Sequence, residues 1–210
     1  DAVLRRLRDR QQDSAEVAMA VGDFYFQRED TESALGQYRH GLELAPGNLQ
    51  IKQRIVELYL SSGRIPEADL LNKEILGTKR KDVIAHIARG RILLANGKRE
   101  QAIAELRQQV AEAPDSPQAH YYLGVAYWQN GNLGQAKSEL QEALGIAPEL
   151  PLVRHRLAEF HLALGELAVA REYASRSLQQ NPADVKAHVL LGAVLLRQND
   201  LKGAQEQFRM

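Results

Sequence analysis

Cysteine is absent from the 210 residues, which excludes disulfides and thiol catalysis and fits a reducing or an oxidising compartment equally well. Net charge is absent too. The 27 Lys and Arg balance 27 Asp and Glu, so nothing draws the chain as a whole onto nucleic acid or an acidic membrane. No apolar run approaches the roughly 20 residues of a membrane span, so membrane insertion is not expected. No signal peptide is visible. Nor is there a nucleophile–base arrangement, a glycine loop shaped for phosphate or a paired acidic dyad. An enzyme is therefore not expected, and no cofactor is implied.

What the chain does have is a period. It is clearest in residues 117–150, PQAHYYLGVAYWQNGNLGQAKSELQEALGIAPEL. Leu123, Tyr127, Leu140 and Ala143 recur at helical rather than strand spacing. Gly124 would cost a helix about 1 kcal/mol against Ala, a cost tolerable only if a second helix needs the space. Ala136, twelve residues on, is the matching small residue of that second helix. Asn130-Gly131 ends the first helix, because glycine accepts the left-handed conformation of a C-cap. Pro148 closes the second, because it cannot continue one.

Steps of 34 residues place repeat starts at Ala15, Leu49, Val83, Pro117, Pro151 and Val185, with no insertion. The small residue of the second helix is Ala34, Ala68, Ala102, Ala136, Ala170 and Ala204. The turn residue is Glu29, Gly63, Gly97, Gly131, Gly165 and Asn199. The array thus covers 15–210, with the last repeat truncated, and residues 1–14 fit the second helix of a preceding repeat, Leu4 and Leu7 taking the places of Leu140 and Ala143. Helices are predicted near 15–28, 31–45, 49–62, 65–77, 83–96, 99–113, 117–130, 133–147, 151–164, 167–180, 185–198 and 201–209. A solenoid needs polar capping repeats, and neither end supplies one. A fragment of a longer array or multidomain protein is expected, with Leu4, Leu7, Leu201 and Phe208 exposed and end-to-end self-association as a consequence.

These residues at these offsets resemble the tetratricopeptide repeat (TPR) family, with His120 where the family often has Trp. The style of the repeats looks bacterial. The resemblance implies an all-α, right-handed solenoid of antiparallel helix pairs, A and B, that binds a protein or peptide. It also implies that positions 2, 5, 9, 12 and 13 of each A helix line a concave groove. Position 12 is apolar throughout (Phe26, Leu60, Leu94, Trp128, Leu162, Leu196), which is architecture more than specificity. Positions 5 and 9 vary. The groove would have an apolar centre and charged flanks, acidic in the first two repeats at Asp23 and Glu57. Its candidate contacts are Ile84, Ile87, Arg91, Tyr121, Val125, Trp128, His155 and Glu159. As a groove residue, Tyr121 is expected to matter to a partner and little to the fold, the reverse of Leu123 on the core face. The Lys/Asn pattern of carboxylate clamps in this family is missing, and Met19/Asp23 and Gln53/Glu57 stand in its place. Two other roles use the same array: the regulatory or targeting arm of a larger enzyme, and a component of a bacterial secretion or exopolysaccharide assembly.

Departures from the pattern carry their own expectations. Arg89 stands where the other repeats place Val, Ile or Leu, so it should reach solvent or a carboxylate such as Glu74. The second repeat lacks the closing proline, with Arg80 in its place, so a looser linkage to the third repeat is expected. His86, His120 and His188 share position 4, a packing place between helices A and B. His155 and Glu159, four apart, could supply two metal ligands, but with no third ligand a surface pair is the expectation. His161 is expected in the core.

Overall fold

The computed structural model describes residues 14–210. The expectations for Leu4 and Leu7 fall outside these residues. The described chain is all-α, twelve helices of the solenoid class with no strand among the described residues. The helices are α1 Ala15–Gln27, α2 Thr31–Leu44, α3 Leu49–Ser61, α4 Ile65–Thr78, α5 Val83–Ala95 and α6 Arg99–Glu112. They continue as α7 Pro117–Gln129, α8 Leu133–Ile146, α9 Pro151–Ala163, α10 Leu167–Gln180, α11 Val185–Arg197 and α12 Leu201–Gln207. Each lies within two residues of its predicted bounds.

The chain divides between Glu105 and Leu106 into two compact units, the boundary running through α6. In the first, α1 packs on α2 and α3 on α4, and the A helices α1, α3 and α5 lie side by side. Its core gathers Leu35, Tyr38, Ile51, Ile55, Leu58 and Ile92, with a second cluster around Val56, Ile75, Ala85 and Ala88. In the second, α7 packs on α8, α9 on α10 and α11 on α12, with α9 beside α11. Ala158, Ala174 and Leu190 join consecutive repeats there.

Local chemistry sets both ends of the A helices. Ser14, Asn48, Asp82, Ser116 and Asp184 each cap a helix, their side chains accepting the N–H three residues on at 2.7–3.2 Å. Leu150 breaks this 34-residue series, and Pro151 opens that helix instead. The far end needs a residue in the left-handed region. Gly63, Gly97, Gly131 and Gly165 supply it, and Glu29 (φ 60°) and Asn199 (φ 64°) adopt it at the same register.

The turn from each B helix to the next A helix also repeats. The N–H of Asn48, Asp82, Ser116 and Asp184 donates to the carbonyl three residues back at 3.0–3.1 Å. The second-repeat turn, which lacks proline, closes with the same bond as the rest, so the expected loosening has no counterpart in that bond.

Helix pairs approach by matching sizes. A Cβ on Gly124 would lie 2.8 Å from Leu140 Cγ and 3.2 Å from the Ala136 carbonyl oxygen. One on Gly22 would lie 2.4 Å from Tyr38 Cε1, and one on Gly192 2.5 Å from Phe208 Cε1. Where the A helix carries Ala158 instead, the residue in the Leu140 place is the smaller Ala174, and both are buried in one cluster. The spacing of Gly124 and Ala136 thus has the packing reason read from the sequence.

Candidate functional site

In the first unit the candidate face lies on α1, α3 and α5. Ile84 projects from it, 58% exposed, whereas Ile87 is buried. Arg91 is half-buried and grips Glu57, its counterpart one repeat earlier, through both terminal nitrogens. Asp23 accepts the Tyr38 hydroxyl at 2.7 Å and meets Arg54 Nε at 3.2 Å. Burial, and then the Asp23 carboxylate, push the Tyr38 hydroxyl well above the ordinary phenol range, so it stays a donor. The acidic flank expected here is therefore neutralised by the chain itself: Arg54 answers Asp23 and Arg91 answers Glu57. Gln53 Nε2 donates to both Asp82 oxygens at 3.0 Å, tying position 5 to the cap of the next A helix.

In the second unit, the aromatic centre is covered. Tyr121 is 4% exposed, Val125 is buried and Trp128 half-buried. The cover is Arg156 of α9, whose Nε and Nη2 donate to the Tyr121 hydroxyl at 3.2 Å each. Its guanidinium carbon lies 5.9 Å from the centroids of both Tyr121 and Trp128, at the edge of cation–π range. It also donates to Glu159 at 2.8 Å, and Lys186 meets the other Glu159 oxygen at 3.0 Å. Phe160 sits edge-on to Trp128 with centroids 5.3 Å apart. Tyr121 is thus not the lightly packed groove residue expected from sequence; it is walled in by the next A helix.

His155 and Glu159 do not converge on one point. His155 Nε2 pairs with Asp184 at 2.7 Å, and Asp184 also caps α11, while Glu159 serves Arg156 and Lys186. Among the described residues no three or more His, Cys, Asp or Glu could hold a metal ion. His161 lies in the core, stacked on Tyr173 at 5.6 Å with Nδ1 2.5 Å from Glu166. Arg89 reaches solvent, and its nearest carboxylate is Glu105 at 3.7 Å, not Glu74, which is held by Lys52 at 2.5 Å.

Further apolar side chains stand open on the second unit's A helices, among them Leu152 (46% exposed) and Val189 (50%). These two occupy positions 2 and 5, the register expected to face a partner, yet they are not among the residues singled out from sequence. Arg156 is missing from those as well. Its only sequence mark is a cation at position 6, shared with Arg54. What each unit's A helices offer chemically is open aliphatic side chains, Ile84 in the first and Leu152 and Val189 in the second, together with ion pairs that are already closed. Among the described residues no helix is long and apolar enough to cross a membrane.

Comparison with known proteins agrees with the fold. The tetratricopeptide repeat family model matches residues 87–151 and 155–210, more than half of the chain. No curated protein matches it in sequence. Among solved structures, a thermophilic TPR protein of Thermus thermophilus superposes with a TM-score of 0.80 at 21% identity, over 87% of this chain and 99% of that one. The Cut9–Hcn1 hetero-tetramer of the APC/C gives 0.79 at 21% identity, over 92% of this chain and 37% of that one. PilW, a widely conserved type IV pilus biogenesis factor, gives 0.71 at 17% identity, over 92% of this chain and 90% of that one. At these identities the likeness shows the fold alone. The family match takes in residues 87–151 and 155–210, from the third repeat to the last, and the chain belongs to the tetratricopeptide repeat family.

Proposed function

We propose that this chain is a non-catalytic scaffold holding a peptide or helix of a partner protein against the inner faces of its A helices. The observation that supports this is the pairing on that face. Its acids and bases answer one another within the chain, as Asp23–Arg54, Glu57–Arg91 and Arg156–Glu159–Lys186, while aliphatic Ile84, Leu152 and Val189 stay open. Such a face favours an apolar segment over a polyanion. In this reading Ile84, Arg91, Trp128 and Glu159 touch the partner. Ile87, Tyr121, Val125 and His155 support them from beneath. Burying about 400 Å² of apolar surface would supply about 10 kcal/mol gross, and association costs would leave an affinity near micromolar. An enzyme arm and an assembly component would use the same face and differ only in the partner.

Ile84→Asp and Leu152→Asp test this, one in each unit. Both side chains are exposed, so each variant is expected to melt within about 0.5 kcal/mol of the parent. Each should weaken titrated binding of a partner isolated from the source organism about tenfold or more, since a charge would then face an apolar segment. Unchanged affinity in both variants would count against the assigned face.

A further inference from the structure

Position 4 of the repeats is a socket lined by acceptors. His86 Nε2 lies 2.9 Å from the Arg80 carbonyl oxygen, and its Nδ1 lies 2.5 Å from Glu105. Around His120 the same places are taken by the Pro114 carbonyl at 2.9 Å and Glu139 at 2.7 Å. In the fifth repeat the socket holds Arg154, which donates to the Pro148 carbonyl and to Gln180 Oε1. In the sixth, His188 meets the Pro182 carbonyl at 2.9 Å and the Gln207 side-chain amide at 2.8 Å.

These partners differ in one respect. The side-chain amide of Gln207 can present either an oxygen or an NH₂ to a ring nitrogen. A carbonyl and an ionised carboxylate have no proton to give. For the His86 ring to donate to both at once it needs two N–H groups, and only the imidazolium has two. Arg154, a permanent cation, stands at the same repeat position against a carbonyl and a neutral amide oxygen.

The socket at His86 has a second distinguishing feature. The carbonyls bound by His120, Arg154 and His188 belong to Pro114, Pro148 and Pro182, whose rings fix φ. The carbonyl bound by His86 belongs to Arg80, which has no such constraint. There the histidine holds a turn that proline does not.

We propose that His86 is a proton-operated latch on the turn between the second and third repeats. Protonated, it ties the turn at 79–82, α5 and α6 together; deprotonated, it must give up one of its two acceptors, and the turn loosens. The charged groups facing the ring are Glu105 from α6 and, from its own helix, Arg89, whose Nε lies 3.7 Å from Glu105. The side toward α4 contributes the Arg80 carbonyl. Burial works against the ring's charge, but the carbonyl and Glu105 outweigh it and hold the pKa above its ordinary 6.5. A raised folded pKa fixes the sign: the stabilisation is complete below the unfolded value and is lost as pH climbs through the folded one.

The experiment is an NMR titration of the His86 ring in the full chain, beside amide-exchange protection at residues 79–86 measured at about pH 6 and pH 8.5 and corrected for intrinsic exchange. His86 is expected to titrate above 6.5, and protection at 79–86 to fall about tenfold per unit of difference between folded and unfolded pKa. The turn at 45–48, whose position-4 residue is Lys52, should not follow it. His86→Gln should remove the pH dependence, and Arg80→Pro should restore protection at the higher pH by fixing the turn. Titration at or below 6.5 overturns the proposal, as does protection at 79–86 no more pH-dependent than at 45–48. Both readouts come from the parent chain, so they decide the matter even if His86→Gln fails to fold.

Discussion

Tyr121→Ala is expected to lower the chain's stability by about 3–5 kcal/mol, as much as truncation of a core aromatic. The side chain is buried, and its hydroxyl accepts two donors from Arg156. Removing it leaves a cavity and strips a half-buried guanidinium of one of its partners. Leu123→Ala, on the opposite face of α7 and also buried, is expected to cost about 2–5 kcal/mol for the cavity alone. Tyr121→Phe separates the two contributions. It keeps the ring and loses only the hydroxyl, so about 1 kcal/mol is expected. Thermal or denaturant melting of the three variants checks this. A Tyr121→Ala variant within about 0.5 kcal/mol of the parent would mean that Arg156 is a loose cover and that the ring is free to meet a partner.

The second large effect concerns Gly124. Gly124→Val is expected to destabilise by about 3 kcal/mol, because the first carbon already overlaps Leu140 Cγ and crowds the Ala136 carbonyl. Helix propensity predicts the opposite sign, since any ordinary residue improves on glycine in a helix interior. The packing contribution is the larger of the two. Leu140→Ala should rescue part of the loss by making the room that Ala174 leaves beside Ala158 in the fifth repeat. A coupling of about 1–3 kcal/mol between the two substitutions is expected in a double-mutant cycle. Strict additivity would mean that helix separation in this pair is not set by the Gly124–Leu140 contact.

The fold was readable because each element is encoded locally and repeated. The left-handed residue recurs at Glu29, Gly63, Gly97, Gly131, Gly165 and Asn199, and the A helices end there without exception. The caps at Ser14, Asn48, Asp82, Ser116 and Asp184 follow the same period. The binding face was less legible, because side-chain reach does not follow backbone register. Tyr121 holds an inner position, yet a long side chain 35 residues later covers it. Asp23 and Glu57 read as an acidic flank until Arg54 and Arg91 close over them. Glu74 is a plausible mate for Arg89 by sequence, but Lys52 already holds that carboxylate. A family geometry assigns positions to a face. It does not say which of them a neighbour's arginine will hide.

Site-specific photo-crosslinking tests the assigned face most directly. A crosslinking residue is placed in turn at Ile84, Leu152 and Val189 on the A helices, and at Leu70 on helix B of the second repeat, which is 75% exposed. All four side chains are open, so exposure alone cannot separate them. The account expects partner adducts from the three A-helix positions and none from Leu70. Adducts from Leu70, with none from Ile84, Leu152 or Val189, would contradict it.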